Sequence, residues 1–131
     1  MPARARVCLI DDDAFVREAM ALGLSDAGFD VVSAAGAAAG FDVAAREGVH
    51  AIVTDMNMPG ANGAALIAEA RTRWPEMTII AISGAAAIDG RSMAELAREL
   101  GADAALIKPF RARELAAALD RALAAHKPPD A

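Results

Sequence analysis

The chain contains no tyrosine, one tryptophan and one cysteine, and only 4% of its 131 residues are aromatic. Cys8 has no second cysteine to pair with, so no internal disulfide exists. It lies inside an apolar run, where a thiol is core packing, and this suits a reducing compartment. Lysine occurs only as Lys108 and Lys127, against eleven arginines. That scarcity singles out Lys108. No basic block offers a nucleic-acid footprint, and the net charge is −5. Acidity of that size serves solubility and names no function. No run of about 18 apolar residues is available to span a membrane. The opening MPARAR is followed by too short an apolar run for a signal peptide, so a cytoplasmic protein without membrane insertion is expected.

What is present is apolar: 56% of residues are hydrophobic, enough for the core of one domain over 1–131. Short Val/Ile-rich runs fall at 6–11, 30–34, 50–55, 78–83 and 104–107. None alternates polar with apolar, as expected for strands buried on both faces of a parallel sheet. Helical patterns fill the gaps near 14–27, 37–47, 63–74, 92–100 and 111–125. Leu115, Leu119 and Leu123 form one apolar stripe, and Leu66, Ala70 and Trp74 another. Asn62 is the expected N-cap of the third helix, and Pro75 stops it. Ser92 and Glu95 read as a capping box. Gly28 and Gly101 stand where left-handed C-terminal residues are common. Residues 127–131 read as a tail. Five βα units with right-handed crossovers give an open, doubly wound α/β sheet. Such sheets bind ligands at the carboxyl ends of their strands.

Those ends carry the chemistry. Strand 1 runs into Asp11, Asp12 and Asp13, strand 3 ends in Asp55, strand 4 in Ser83, and strand 5 in Lys108–Pro109. Each alone has a plain explanation as a cap, a turn residue or a surface charge. Together they are harder to dismiss. Oxygen-only acidic clusters suit hard cations, and Mg²⁺ favours one or two carboxylates with waters and a phosphate oxygen. A cation also relieves the mutual repulsion of the carboxylates. Lys108 and Ser83 complete a pocket for a phosphoryl group, and Asp is a competent phosphoryl acceptor.

Four segments make a family resemblance specific: Val7–Asp13 (VCLIDDD), Val53–Gly60 (VTDMNMPG), Ala81–Gly84 (AISG) and Leu106–Phe110 (LIKPF). The chain resembles the receiver domain of bacterial two-component response regulators over about residues 5–126. The resemblance implies a flavodoxin-like (βα)5 fold with strand order 2-1-3-4-5. It implies a stand-alone, chemotaxis-regulator-like switch: a phosphoprotein of phosphorelay signalling, not a conventional enzyme, that catalyses its own aspartyl phosphorylation and dephosphorylation. It assigns Asp55 as phosphoacceptor, Asp12 as direct Mg²⁺ ligand with Asp11 assisting, and the backbone carbonyl of Asn57 as a further ligand. Ser83 and Lys108 would bind the phosphoryl group, and Asp13 would cap the first helix. The Lys108–Pro109 bond would be cis. A sensor histidine kinase or histidine phosphotransfer protein would supply the phosphoryl group, and the chain would either switch a surface that docks on a downstream protein target or relay the phosphoryl group onward.

Two features depart from the receiver pattern. Many receivers carry an aromatic three residues before the Lys, and here that residue is Ala105. The Gly84–Arg91 loop is long, and reads either as a mobile segment or as an extra helical turn around Ala85–Ala87. Three other classes compete. Asp11-x-Asp13 superficially fits a haloacid dehalogenase-type phosphohydrolase, but Phe15 replaces the usual Thr or Val and no cap domain fits. A flavodoxin-like electron carrier lacks its phosphate loop after strand 1. A phosphorylation-independent scaffold would not need the complete acidic set, Ser83 and Lys108.

Overall fold

A computed structural model describes residues 5–58, 61–85, 87–88 and 90–126, leaving aside the side chains of residues 57, 58, 61, 62 and 88. Among the described residues, nine strands and five helices follow in the order β1 Arg6–Ile10, α1 Ala14–Asp26, β2 Asp30–Ala34, α2 Ala37–Glu47, β3 Ala51–Asp55, β4 Asn57–Met58, β5 Ala61–Asn62, α3 Gly63–Arg73, β6 Thr78–Ser83, β7 Ala87–Ile88, β8 Arg91–Ser92, α4 Met93–Leu100, β9 Ala104–Ile107 and α5 Ala112–His126. The main sheet is parallel, in the order β2-β1-β3-β6-β9. Its neighbours succeed one another as a doubly wound fold requires.

The five-stranded parallel sheet expected from the sequence is present, and two short ladders not expected from it stand outside the sheet. β4 pairs antiparallel with β5, and β7 with β8, as two-residue ladders outside the sheet. Counted among its own five strands the main sheet reads 2-1-3-4-5, as expected, and only the numbering over all nine strands turns the last two into β6 and β9. The long loop after β6 carries the β7–β8 ladder, not a helical turn, at Ala87. Ala86, Asp89, Pro59, Gly60 and the expected tail at 127–131 lie outside the described residues.

Period-two alternation explains why the strands lack polar faces. Val7, Leu9, Val53, Ile80 and Ile82 pack with Met20 and Leu24 of α1 and Leu115 and Leu119 of α5. Cys8, Ile10, Ile52, Ile79 and Ala81 pack on the other side with Leu66, Ile67 and Ala70 of α3 and Met93 and Ala97 of α4. Both faces are therefore core. Leu123 and Trp74 end their stripes half-buried against these clusters. Gly40 lets α2 approach β1: a Cβ there would meet Ile10 Cδ1 at 2.3 Å. Gly101 ends α4 at φ +116°, a left-handed conformation in which its N–H reaches the carbonyls of Ala97 and Arg98. Ser92 caps α4, accepting from the Glu95 N–H at 3.4 Å.

Burial gives Cys8 a measurable role in stability. Its thiol lies 3.7 Å from the Gly40 carbonyl, and burial pushes its pKa from 9.0 up to about 11. The folded chain therefore holds this proton more tightly than the unfolded chain. The contribution is whole below pH 9 and is lost as pH rises towards 11. Across that window it is worth roughly 3 kcal/mol. Denaturant midpoints measured from pH 8 to 11 are expected to fall more steeply in the wild type than in Cys8→Ala. Equal slopes would show that the thiol carries no linkage.

Candidate functional site

Three parallel strands deliver acidic and basic groups to one end of the sheet. β1 stops at Ile10, and the backbone N–H of Asp11 continues its register by donating to the Ala34 carbonyl at 3.2 Å. Asp11 is fully buried. Its Oδ1 accepts from the Asp13 N–H at 2.9 Å, and its Oδ2 accepts from Lys108 Nζ at 3.2 Å. Asp12 is exposed. Asp13 leaves the cluster and caps α1, its carboxylate accepting from the Phe15 and Val16 N–H groups. The acidic triplet thus separates into a buried residue, an exposed one and a helix cap.

Asp55 ends the central strand β3 and is nearly fully buried. Lys108 Nζ donates to its Oδ2 at 2.8 Å. One ammonium, a quarter exposed, therefore bridges two buried carboxylates from different strands. Burial lowers the Lys108 pKa, but the hydrogen bond and charge of Asp55, followed by the charge and hydrogen bond of Asp11, outweigh it. The ammonium is held above its ordinary value. One carboxylate oxygen from each of Asp11, Asp12 and Asp55 falls within a group spanning 4.8 Å. Three carboxylates against one ammonium leave an excess of negative charge. An all-oxygen donor set of this kind fits a hard cation and not a soft one.

Lys108 is placed by the backbone. Its N–H donates to the Ser83 carbonyl at 2.7 Å, extending the β6–β9 ladder. The Lys108–Pro109 peptide bond is cis. The Met56 N–H likewise donates to the Ile82 carbonyl at 2.8 Å, which fixes the chain leaving Asp55. Ser83 is buried beside the cluster, and its Oγ closes on the next turn. That oxygen accepts from the Ala85 N–H at 3.0 Å and donates to the Ala85 carbonyl at 3.1 Å. Asn57 begins the small β4–β5 ladder, opposite Asn62. Ala105 is half-buried in β9 opposite Ala81 and packs against the α2–α3–α4 side of the core. In that position it is a packing residue.

One supporting residue was not foreseen. Arg17 donates through Nη1 to the Asp11 carbonyl at 2.7 Å, clamping the loop that presents Asp11 and Asp12. Its signal in the sequence is faint: a basic residue one helical turn after the cap Asp13. Among the described residues, no helix is long and apolar enough to cross a membrane.

Residues 7–120 match the family model of the response regulator receiver domain. Response regulator protein FleR of Pseudomonas aeruginosa is 37% identical over 111 residues, covering 85% of this chain and 23% of that protein. Transcriptional regulatory protein FixJ of Azorhizobium caulinodans is 36% identical over 123 residues, covering 94% of this chain and 57% of that protein. The chain therefore spans only part of the length of these curated relatives. The crystal structure of a CheY-like response regulator receiver domain protein from Methanospirillum hungatei superposes with a TM-score of 0.85 at 25% identity. The match covers 95% of this chain and 97% of that one.

Proposed function

This chain belongs to the response regulator receiver domain family, and from that premise we propose that it is a phosphorylation switch whose acceptor is Asp55. The observation that carries this reading is the Lys108 bridge, 2.8 Å from Asp55 and 3.2 Å from Asp11, beside the exposed carboxylate of Asp12. Asp11, Asp12 and Asp55 are the carboxylates that would hold Mg²⁺, and the backbone carbonyl of Asn57 would join them as the family resemblance implies. When bound, the ion supplies positive charge against the phosphoryl oxygens.

The residues of the chain do the rest by position and charge. A carboxylate oxygen of Asp55 attacks the phosphorus of a phosphohistidine in line. The new O–P bond forms as the P–N bond breaks, and the imidazole leaves with the electron pair. Lys108 is already in place to pair with the transferred oxygens. The Ser83 hydroxyl then exchanges its bond to the Ala85 carbonyl for one to a phosphoryl oxygen, and the β6–β7 loop follows it inward. Ala105 supplies no aromatic to amplify that movement. The loop itself carries the shift to the α4–β9–α5 face, where a protein target docks. The donor is a sensor histidine kinase or a histidine phosphotransfer protein, and the setting is the bacterial cytoplasm.

Incubation with Mg²⁺ and acetyl phosphate, followed by intact-mass measurement, is expected to show one base-labile phosphoryl adduct. Chelation of the metal should prevent it. A chain left unmodified by acetyl phosphate and by a phosphorylated histidine phosphotransfer protein alike would overturn the proposal.

A further inference from the structure

Of the three carboxylates whose oxygens lie within 4.8 Å of one another, two are held and one is not. Lys108 ties Asp11 to Asp55. Asp12 is exposed, and among the described residues no hydrogen bond or ion pair holds its carboxylate. Its direction therefore comes from its own main chain. Both peptide planes that flank Asp12 are pinned. The Asp11 carbonyl, in the plane before it, accepts from Arg17 Nη1 at 2.7 Å. The Asp13 N–H, in the plane after it, donates to Asp11 Oδ1 at 2.9 Å. Peptide units are rigid, so two pinned planes fix φ and ψ of the residue between them. The direction of its Cα–Cβ bond is fixed with them.

Helix α1 itself gains little from a cation at 17. The residue falls near the start of the helix, where the dipole disfavours positive charge. Among the described residues its side chain meets a carbonyl and no carboxylate. Its own N–H makes the ordinary helical bond to the Asp13 carbonyl at 2.9 Å. That bond anchors Arg17 to the turn that Asp13 caps. The guanidinium then reaches back to Asp11 and closes residues 11–17 into one ring of contacts.

We propose that Arg17 is a positioning residue for metal capture: by holding the Asp11–Asp12 peptide, it aims the Asp12 carboxylate at those of Asp11 and Asp55. The proposal rests on the reading of these three carboxylates as the Mg²⁺ site. It makes a prediction opposite in sign to simple electrostatics. A guanidinium beside a cation site repels the cation, so as a mere charge Arg17 would weaken Mg²⁺ binding, and its removal would tighten it. As a positioning residue it strengthens binding, and its removal weakens it.

The test is an Mg²⁺ titration of the ¹⁵N-labelled full chain, followed at the Asp12 and Asp13 amides. Arg17→Met keeps the aliphatic stem and removes the donor. It is expected to weaken Mg²⁺ binding about tenfold, the lower end of what loss of a ligand's supporting contact costs. Arg17→Lys keeps the charge and can still donate, so it should bind more tightly than Arg17→Met. In the metal-free chain, Arg17→Met should speed hydrogen exchange at the Asp13 amide and leave the Ile52 and Ile80 amides of the core strands unchanged. A methionine variant that binds Mg²⁺ as tightly as the wild type, or more tightly, overturns the proposal. So does a lysine variant no better than methionine, or exchange that rises alike at all three amides, which would make Arg17 a residue of general stability. A wild type without saturable Mg²⁺ shifts would remove the metal reading itself and this proposal with it, whereas equal binding by wild type and Arg17→Met would remove this proposal alone.

Discussion

Asp55→Asn is expected to take up no phosphoryl group under conditions that label the wild type completely, whereas Asp11→Asn is labelled slowly at the same position. The difference follows from how the two carboxylates are held. Both oxygens of Asp11 are committed, one to the Asp13 N–H and one to Lys108, and the residue is wholly buried. Its work is to hold charge in place. Asp55 stands at the end of the central strand, with the shorter bond to Lys108. A phosphoryl group added there gains the ammonium at once. Removing Asp11 takes away one fixed charge from the cluster, and removal of a single preorganised electrostatic partner slows reactions about 100-fold to 1,000-fold. Removing Asp55 takes away the atom that forms the bond, so no slower reaction remains. Asparagine is nearly isosteric, and loss of one charge from a crowded acidic cluster should leave the variant at least as stable as the wild type. Intact mass over a time course reads both variants. The reverse pattern, with uptake surviving in Asp55→Asn and lost in Asp11→Asn, would place the nucleophile at Asp11, as in a dehalogenase-type phosphohydrolase.

The sheet was legible because burial on both faces leaves an unmistakable trace: Val-Ile runs without polar alternation, ended by charged residues. The strand ends could then be read as a site before their geometry was known. The helices were legible from stripes that the structure does bury, such as Leu115 with Leu119 and Leu66 with Ala70. Two-residue ladders are not legible in this way. β4–β5 and β7–β8 are too short to have a period. Contacts to main-chain oxygens were also out of reach. Arg17 finds the Asp11 carbonyl, and Arg71 finds those of Pro75, Met77 and Gly101, only because the fold brings those oxygens near. Asp103 is a similar case. It joins Arg71, the Ile79 N–H and His126 from three elements distant in sequence. The direction of the Ser83 hydroxyl depends on a local choice between its own turn and the cluster, which composition does not record.

Lys108→Met is expected to have the largest effect on stability, with loss of switching. Methionine keeps most of the aliphatic volume and removes the ammonium. The Lys108 pKa is raised: burial opposes the charge, but Asp55 and then Asp11 more than compensate. A raised folded-state pKa means a contribution fully present below the unfolded lysine's pKa and lost as pH rises through the higher folded value. At neutral pH the whole contribution is therefore at stake. Removing one partner of a buried pair leaves the other charge uncompensated, at a cost of about 3–5 kcal/mol when burial is complete. Lys108 is a quarter exposed, so solvent screening brings the expected loss to about 2–3 kcal/mol. Mg²⁺ should restore more stability to the variant than to the wild type, because it no longer shares the carboxylates with an ammonium. Phosphoryl uptake should nevertheless stay about 100-fold to 1,000-fold slower, since a metal held by the carboxylates would not replace the Lys108 ammonium beside Asp55. Chemical denaturation with and without Mg²⁺, run beside the acetyl phosphate time course, separates the two effects. A variant that matches the wild type in both would mean that the 2.8 Å contact to Asp55 serves neither the fold nor the transfer. A variant rescued by Mg²⁺ in stability but not in uptake would show that the two cations act on the same carboxylates for different ends.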